Sequence, residues 1–335
     1  MVDCSFLKSF QIVAKPTSTT ENYEQYSEAY RNGMFSYIYG NSTPEEALQQ
    51  VIDITKYYYV SLETNDSSVG LIVLIINSII FLIILFSLSF LFIKKYQYFF
   101  KFFSKIFSIS IISGSSLILS TIIMEYGEIT SIKCTFKVFF INISNTLILA
   151  PLLNQLIINF PVEINISTWL KNNQILSLFI YVIVDIIFLG YLLYLSLPLK
   201  IDIFLEGKNF RECHLKNNYY NIFILFIIIL NKVIISLAIL LLCFIEWNLQ
   251  KTVYDVRFIM INLYINIIGV VAYCIVDFMD IGNYILYFLN KDIVYIFFSM
   301  NNFMFLYGYR IIFSLIKKPP AKNEEEEIEE KHKKV

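Results

Sequence analysis

The run from Cys134 to Phe160, CTFKVFFINISNTLILAPLLNQLIINF, constrains this chain more than any other stretch. It is long enough to cross a bilayer, since roughly 20 apolar residues span the hydrocarbon core. Yet it carries Asn142, Asn145, Asn154 and Gln155, amides that hydrocarbon would leave unsatisfied. Such amides are tolerated where they face other helices and bond across them. The run therefore predicts a helix at the centre of a membrane bundle. Cys134 stands at its mouth, and the other cysteine at an outer-loop position is Cys213. In an oxidising compartment two such cysteines are expected to pair, the alternative being two thiols. A central helix tied to a later loop is a receptor-like arrangement.

The rest of the chain supplies the bundle. Of its 335 residues 57% are hydrophobic and only 16% charged, a polytopic membrane composition. Seven apolar segments follow one another at 69–93, 103–124, 135–160, 174–198, 219–245, 257–279 and 292–316. The expectation is an all-α, multi-pass protein: an extracellular segment over 1–64, a seven-transmembrane domain over 65–318 and a short charged cytoplasmic tail over 319–335. Lysines Lys94, Lys95, Lys101, Lys105 and Lys171 then fall in inner loops, against Lys133, Lys137 and Lys291 among the outer connections. This bias puts the N-terminus outside. The sequons at Asn41 and Asn65 would then be glycosylated, as at a plasma membrane. No secretory signal opens the chain, so either the first span acts as signal anchor or the N-terminus is shortened.

Several function classes find little support in the residues, a transporter standing as a third reading behind two receptor readings. A net charge of -1 without a basic stripe gives no nucleic-acid partner, and the five cysteines hold no CxxC pair. With only His214 and His332, no metal, cofactor or catalytic set is expected. A transporter would show Gly- or Pro-broken spans in matching halves, but Pro151 and Pro198 are not symmetric. Asp185 and Lys232 fall near the middle of the fourth and fifth spans, where ionisable groups face the bundle interior. With Asn145 they are candidates for an intramembrane polar network; the alternative is that each snorkels or meets a nearby carbonyl. The 1–64 segment reads as two amphipathic helices, NYEQYSEAYRNGMFSYIYG and TPEEALQQVIDITKYYYVSL. The second opens with Thr43 as N-cap, Pro44 in the first turn and Glu45 with Glu46 at the positive end of its dipole.

Taken together, these residues resemble a class C G-protein-coupled receptor, nearest to the metabotropic GABA type B branch. The fifth span, NKVIISLAILLLCFIEWNLQ, resembles the family stretch in which a lysine opens an aliphatic run closing on Trp, Glu and Asn. Lys232 and Asn248 keep that spacing, with Glu246 and Trp247 in swapped order. The sixth span opens YDVRFIMINLY, similar to the family's acidic-x-basic-aromatic-Ile start. Asp185 stands where that branch also places an aspartate, and Cys134 and Cys213 stand where its interhelical disulfide belongs. The TPEEAL helix resembles the C-terminal end of an extracellular solute-binding protein. The resemblance implies a receptor that passes an extracellular signal, from a ligand no motif identifies, to a heterotrimeric G protein. It further implies a homo- or hetero-dimer.

Departures from the family set one further expectation. The third-span Lys and Arg of the family read Gln155 and Ile158 here, and the seventh-span Pro-Lys reads Tyr309-Arg310. Asp255, the acidic partner of that lysine, is kept. Gln155, Asp255, Arg257 and Arg310 are expected to face the G protein. Asp255 would be left with a neutral hydrogen bond, or with Arg257 or Lys251, giving a weak lock and raised ligand-independent activity. The alternative is a degenerate receptor-like subunit that binds nothing and serves as a dimer partner.

Overall fold

The protein is described here by a computed structural model covering residues 23–40, 42–63, 67–162, 165–195, 199–202, 210–213, 219–247, 253–279 and 281–316. It divides into two compact units, Met1–Tyr58 with Asp202–Phe210, and Tyr59–Ile201 with Arg211–Val335. In the first unit the helices Tyr23–Ile38 and Pro44–Thr55 pack on each other. The second helix begins where its sequence says. Glu46 N–H donates to Thr43 Oγ1 at 3.3 Å, and Thr43 N–H donates to Glu46 Oε2 at 2.9 Å. This capping box satisfies two donors that a helix start leaves open. Asn41, Asn65 and the tail after Ile316 lie outside the described residues.

The second unit is a helical bundle. Among the described residues five helices are long and apolar enough to cross a membrane: Val69–Phe92, Lys105–Glu125, Ser131–Asn159, Phe226–Ile245 and Val253–Val276. The bent pair Asn165–Asn172 and Gln174–Phe188 passes as a sixth if taken together, the part from Gln174 being the span that packs on the third. We call these the first, second, third, fifth, sixth and fourth spans; the fifth belongs to the longer helix Tyr219–Ile245. A seventh runs through the helix Tyr284–Phe303, a π-turn at Met304–Gly308 and the helix Tyr309–Ile316. Its interior charges and amides keep it from passing on composition alone. It begins at Tyr284 and not at 292, which moves Lys291 from an outer connection into the helix, where it is fully buried. Two short strands, Leu199–Asp202 and Phe210–Cys213, pair between the fourth and fifth spans.

The third span packs against the second, fourth and fifth, so its central position is as its amides foretell. The second span is nevertheless the most enclosed of the candidate spans. Its sequence SISIISGSSLILS gives it small residues to present to its neighbours. A Cβ on Gly114 would stand 2.8 Å from Ile148 Cγ1 and 2.9 Å from the Ser144 carbonyl oxygen. Only a glycine admits that approach, the close packing that substitutes for a hydrophobic drive between helices in lipid. Pro151 lies inside the third helix and cannot donate to the carbonyl of Leu147. Ser110 Oγ from the second span donates to that carbonyl at 2.8 Å, so the proline leaves no orphan. Ser299 Oγ of the seventh span likewise donates to the Ser115 carbonyl at 2.8 Å. Ile84, Leu91, Ile112, Leu119, Phe303 and Tyr307 close a core between the first, second and seventh spans.

Candidate functional site

Polar side chains form three layers along the bundle. At one end Cys134 and Cys213 are joined by a disulfide with Cα atoms 5.6 Å apart, inside the reach such a bond requires. Beside it the chain returns through Gly127, whose φ of 70° suits glycine. Gly127 N–H donates to Val60 O at 2.8 Å, and Tyr126 Oη to Gly70 O at 2.7 Å. Lys137 was expected in an outer connection. It is buried in the third helix instead, ion-paired with buried Glu125 of the second span. The pairing is the physical reason a lysine can sit there, since an unpaired buried charge costs several kcal/mol or more. Lys291 lies 4.1 Å from the centre of the Tyr273 ring and 5.3 Å from that of Tyr287. Its neighbour Asp292 accepts from Asn77 Nδ2 of the first span at 2.7 Å.

In the middle layer Asp185 and Lys232 form a direct ion pair, Nζ to Oδ1 at 2.9 Å and to Oδ2 at 3.2 Å. Asp185 is 1% exposed, so the carboxylate depends on its partners. The third member is Thr146 of the third span, whose hydroxyl donates to Asp185 Oδ2 and takes a contact from Lys232 Nζ. Asn145 does not join them. Its Nδ2 donates back to Ile141 O of its own helix at 2.9 Å. One residue along a helix turns a side chain by about 100°, which is enough to exchange the two. Three spans meet at this point. Below it, Asn262 and Asn266 of the sixth span and Asn301 and Asn302 of the seventh bond to one another at 2.8 to 3.0 Å.

At the far end Asp255 is not the weakly held acid that its sequence suggests. Arg310 Nη2 donates to Asp255 Oδ1 at 2.5 Å, and Tyr309 Oη donates to the same oxygen. Arg310 Nε in turn donates to Tyr309 Oη at 2.9 Å. The guanidinium is 2% exposed and lies 4.7 Å from the Phe103 ring centre. Phe258 stacks on Tyr309 with centroids 4.2 Å apart. The expectation that Asp255 turns to Gln155, Arg257 or Lys251 is thereby corrected for the two described residues. Gln155 is buried without a bond to Asp255, and Arg257 stacks 5.2 Å over Trp247. Lys251 lies outside the described residues. The π-turn at Met304–Gly308 adds a residue to one helical turn immediately before Tyr309-Arg310. The tyrosine and arginine of the seventh span thus form a clasp on the sixth.

Glu246, just beyond the fifth helix, is fully buried with both carboxylate oxygens lacking a partner. Burial pushes its carboxyl up to about 7. The swapped order of Glu246 and Trp247 marked this stretch in the sequence, but not the isolation of the acid. Among the described residues no group of three His, Cys, Asp or Glu could hold a metal. The site joins helices by charge.

Against this geometry, residues 64–311 match the family described as the seven-transmembrane sweet-taste receptor of class 3 G-protein-coupled receptors. No curated protein matches the chain. The family match spans well over half of the chain, and it carries with it a seven-helix membrane bundle, coupling to a G protein and a receptor rather than an enzyme. The chain belongs to the class C G-protein-coupled receptors, as their seven-transmembrane domain.

Proposed function

We propose that this chain is a class C receptor of the GABA type B-like kind, in which separating the sixth and seventh spans at their far end opens a surface for a G protein. The observation that carries this is the clasp of Asp255, Tyr309 and Arg310, which ties those two spans together. Asp185 and Lys232 support the GABA type B-like assignment, since the fourth-span acid and fifth-span base of that resemblance meet as a pair. The disulfide supports placing its own end, and the N-terminus, in the oxidising space outside a plasma membrane. Dimerisation, glycosylation at Asn41 and Asn65, and an extracellular ligand complete the reading. One motive for the silent-subunit alternative was the missing third-span base; Arg310 supplies a base from another helix and weakens that motive.

The test is expression of the full chain with a panel of G-protein biosensors and an N-terminal epitope read on intact cells. Activation of at least one G protein and an accessible epitope are expected. Removal of the mobility shift by glycosidase, and its reduction in Asn41→Gln and Asn65→Gln, would fix the orientation. An epitope reached only after permeabilisation would overturn it.

A further inference from the structure

The far end of the bundle also holds a cavity of about 590 Å³ that none of the three polar layers uses. It lies where the Asn165–Asn172 helix meets the fourth span at 94°. A helix at right angles to a membrane span lies in the membrane plane. The residue types fit that placement: Ser167 and Leu170 face inward and are buried, while Ile166 and Trp169 are exposed. An exposed Trp on such a helix sits at headgroup depth. The cavity therefore opens at the boundary between headgroups and hydrocarbon.

Its wall has two chemistries in sequence. Lys171, Asn172, Asn173 and Gln174 make a polar rim, and Ile106, Ile175, Leu176 and Phe179 an apolar strip. Ile175 and Phe179 are 67% and 58% exposed, and both continue down the fourth span toward the bilayer interior. Lys171 has no carboxylate partner among the described residues, unlike Lys137, Lys232 and Arg310. The first backbone N–H groups of the fourth span, which begins at Gln174, have no carbonyl within their own helix and carry the positive end of its dipole. A cation, unfilled N–H donors and an apolar strip running away from them match a molecule with an anionic head and a hydrocarbon tail. A soluble anion would use the rim alone, whereas the strip lies at the depth of acyl chains and continues from the rim.

We propose that this elbow binds an anionic phospholipid of the adjoining leaflet. Its phosphate sits at Lys171 and the first turn of the fourth span, and an acyl chain lies along Ile175, Leu176 and Phe179. The inference rests on the membrane placement that family membership brings, and neither on coupling nor on the proposed orientation. If the orientation proposed above holds, the leaflet is the cytoplasmic one, where anionic lipids are concentrated.

The experiment uses the full chain in nanodiscs of phosphatidylcholine with and without phosphatidylserine. Retained lipid is counted by native mass spectrometry. Trp169 fluorescence, isolated by Trp247→Phe, reports quenching by brominated acyl chains. Phosphatidylserine should be retained in preference to phosphatidylcholine and should quench Trp169. Because a basic residue at the surface adds a modest increment, Lys171→Gln should weaken retention about fivefold and Lys171→Glu about twentyfold. Lys171 is exposed, so both variants should keep the parent's thermal stability. Equal retention of the two lipids, or retention unchanged in Lys171→Glu, means an annular lipid only and overturns the proposal. Displacement of the lipid by inorganic phosphate alone means a soluble-anion site and overturns it as well. Should the variants fail to fold, the comparison of the two lipids on the unaltered chain decides.

Discussion

Replacing Arg310 by alanine tests the clasp most directly. The guanidinium is 2% exposed, whereas the Asp255 side chain is 23% exposed. An exposed pair contributes at most about 1 kcal/mol, and breaking a buried one costs about 3–5 kcal/mol. A pair with one buried and one half-buried member falls between, at about 2 kcal/mol, allowing for the share that Tyr309 retains by its own bond to Asp255. If the clasp holds the resting arrangement, its loss shifts the equilibrium about thirtyfold toward the open one. Basal signalling in a G-protein biosensor assay, normalised to surface expression, should be low in the parent and rise clearly in Arg310→Ala. Asp255→Ala should raise it by a similar amount, and the double variant by little more, because both remove one interaction. Gln155→Lys should leave basal signalling unchanged, since Asp255 is already satisfied by the seventh span. High basal activity in the parent, lowered by Gln155→Lys, would restore the weak lock that the sequence suggests and refute the clasp. Additive effects of Arg310→Ala and Asp255→Ala would refute it as well.

Further outcomes follow from the same geometry. Asp185→Asn strands Lys232 in the bundle and should lower thermal stability in detergent by about 3 kcal/mol. Thr146→Val removes only a bridging hydroxyl and should cost about 1 kcal/mol; an equal loss from Asn145→Val would contradict the placement of Thr146. The Glu246 carboxyl is raised from 4.5 to about 7, so its contribution to stability is full below the unfolded value and is lost as pH rises through about 7. Melting curves of Glu246→Gln should therefore match the parent in acid and exceed it in mild alkali. In surface-expressed protein the Cys134 and Cys213 thiols should resist alkylation until reduced, and Cys134→Ala should lower stability by up to about 4 kcal/mol through the long loop it opens.

Much of this architecture can be read from the residues. The third-span amides announce a helix with neighbours on several sides, and Thr43, Pro44 and Glu46 mark a helix start to the residue. What cannot be read is which polar side chain of one helix reaches which side chain of another. Lys137 and Lys291 look like loop residues because charge signals water, and nothing local reveals that Glu125 or two tyrosine rings await them. Thr146 rather than Asn145 completes the middle layer, a difference of one position on a helix face. The clasp was hidden by backbone geometry: a π-turn breaks the 3.6-residue period just before Tyr309 and Arg310. A periodicity argument carried across it aims both side chains wrongly. The second-span serines were passed over because small residues look unremarkable in an apolar run. Their use in close packing shows only in the Gly114 and Ser110 contacts.

The bond from Ser110 to the carbonyl beside Pro151 has a mechanical consequence. A proline in a long membrane helix ordinarily creates a point of easy bending, because the carbonyl it frees no longer ties one turn to the next. Here the second span splints that weak point with its own hydroxyl, while Gly114 holds the two backbones too close for either to slide. The second and third spans therefore act as a single stiff beam. Whatever flexing this receptor needs must come from helices that lack such a splint, and the π-turn puts a ready break in the seventh.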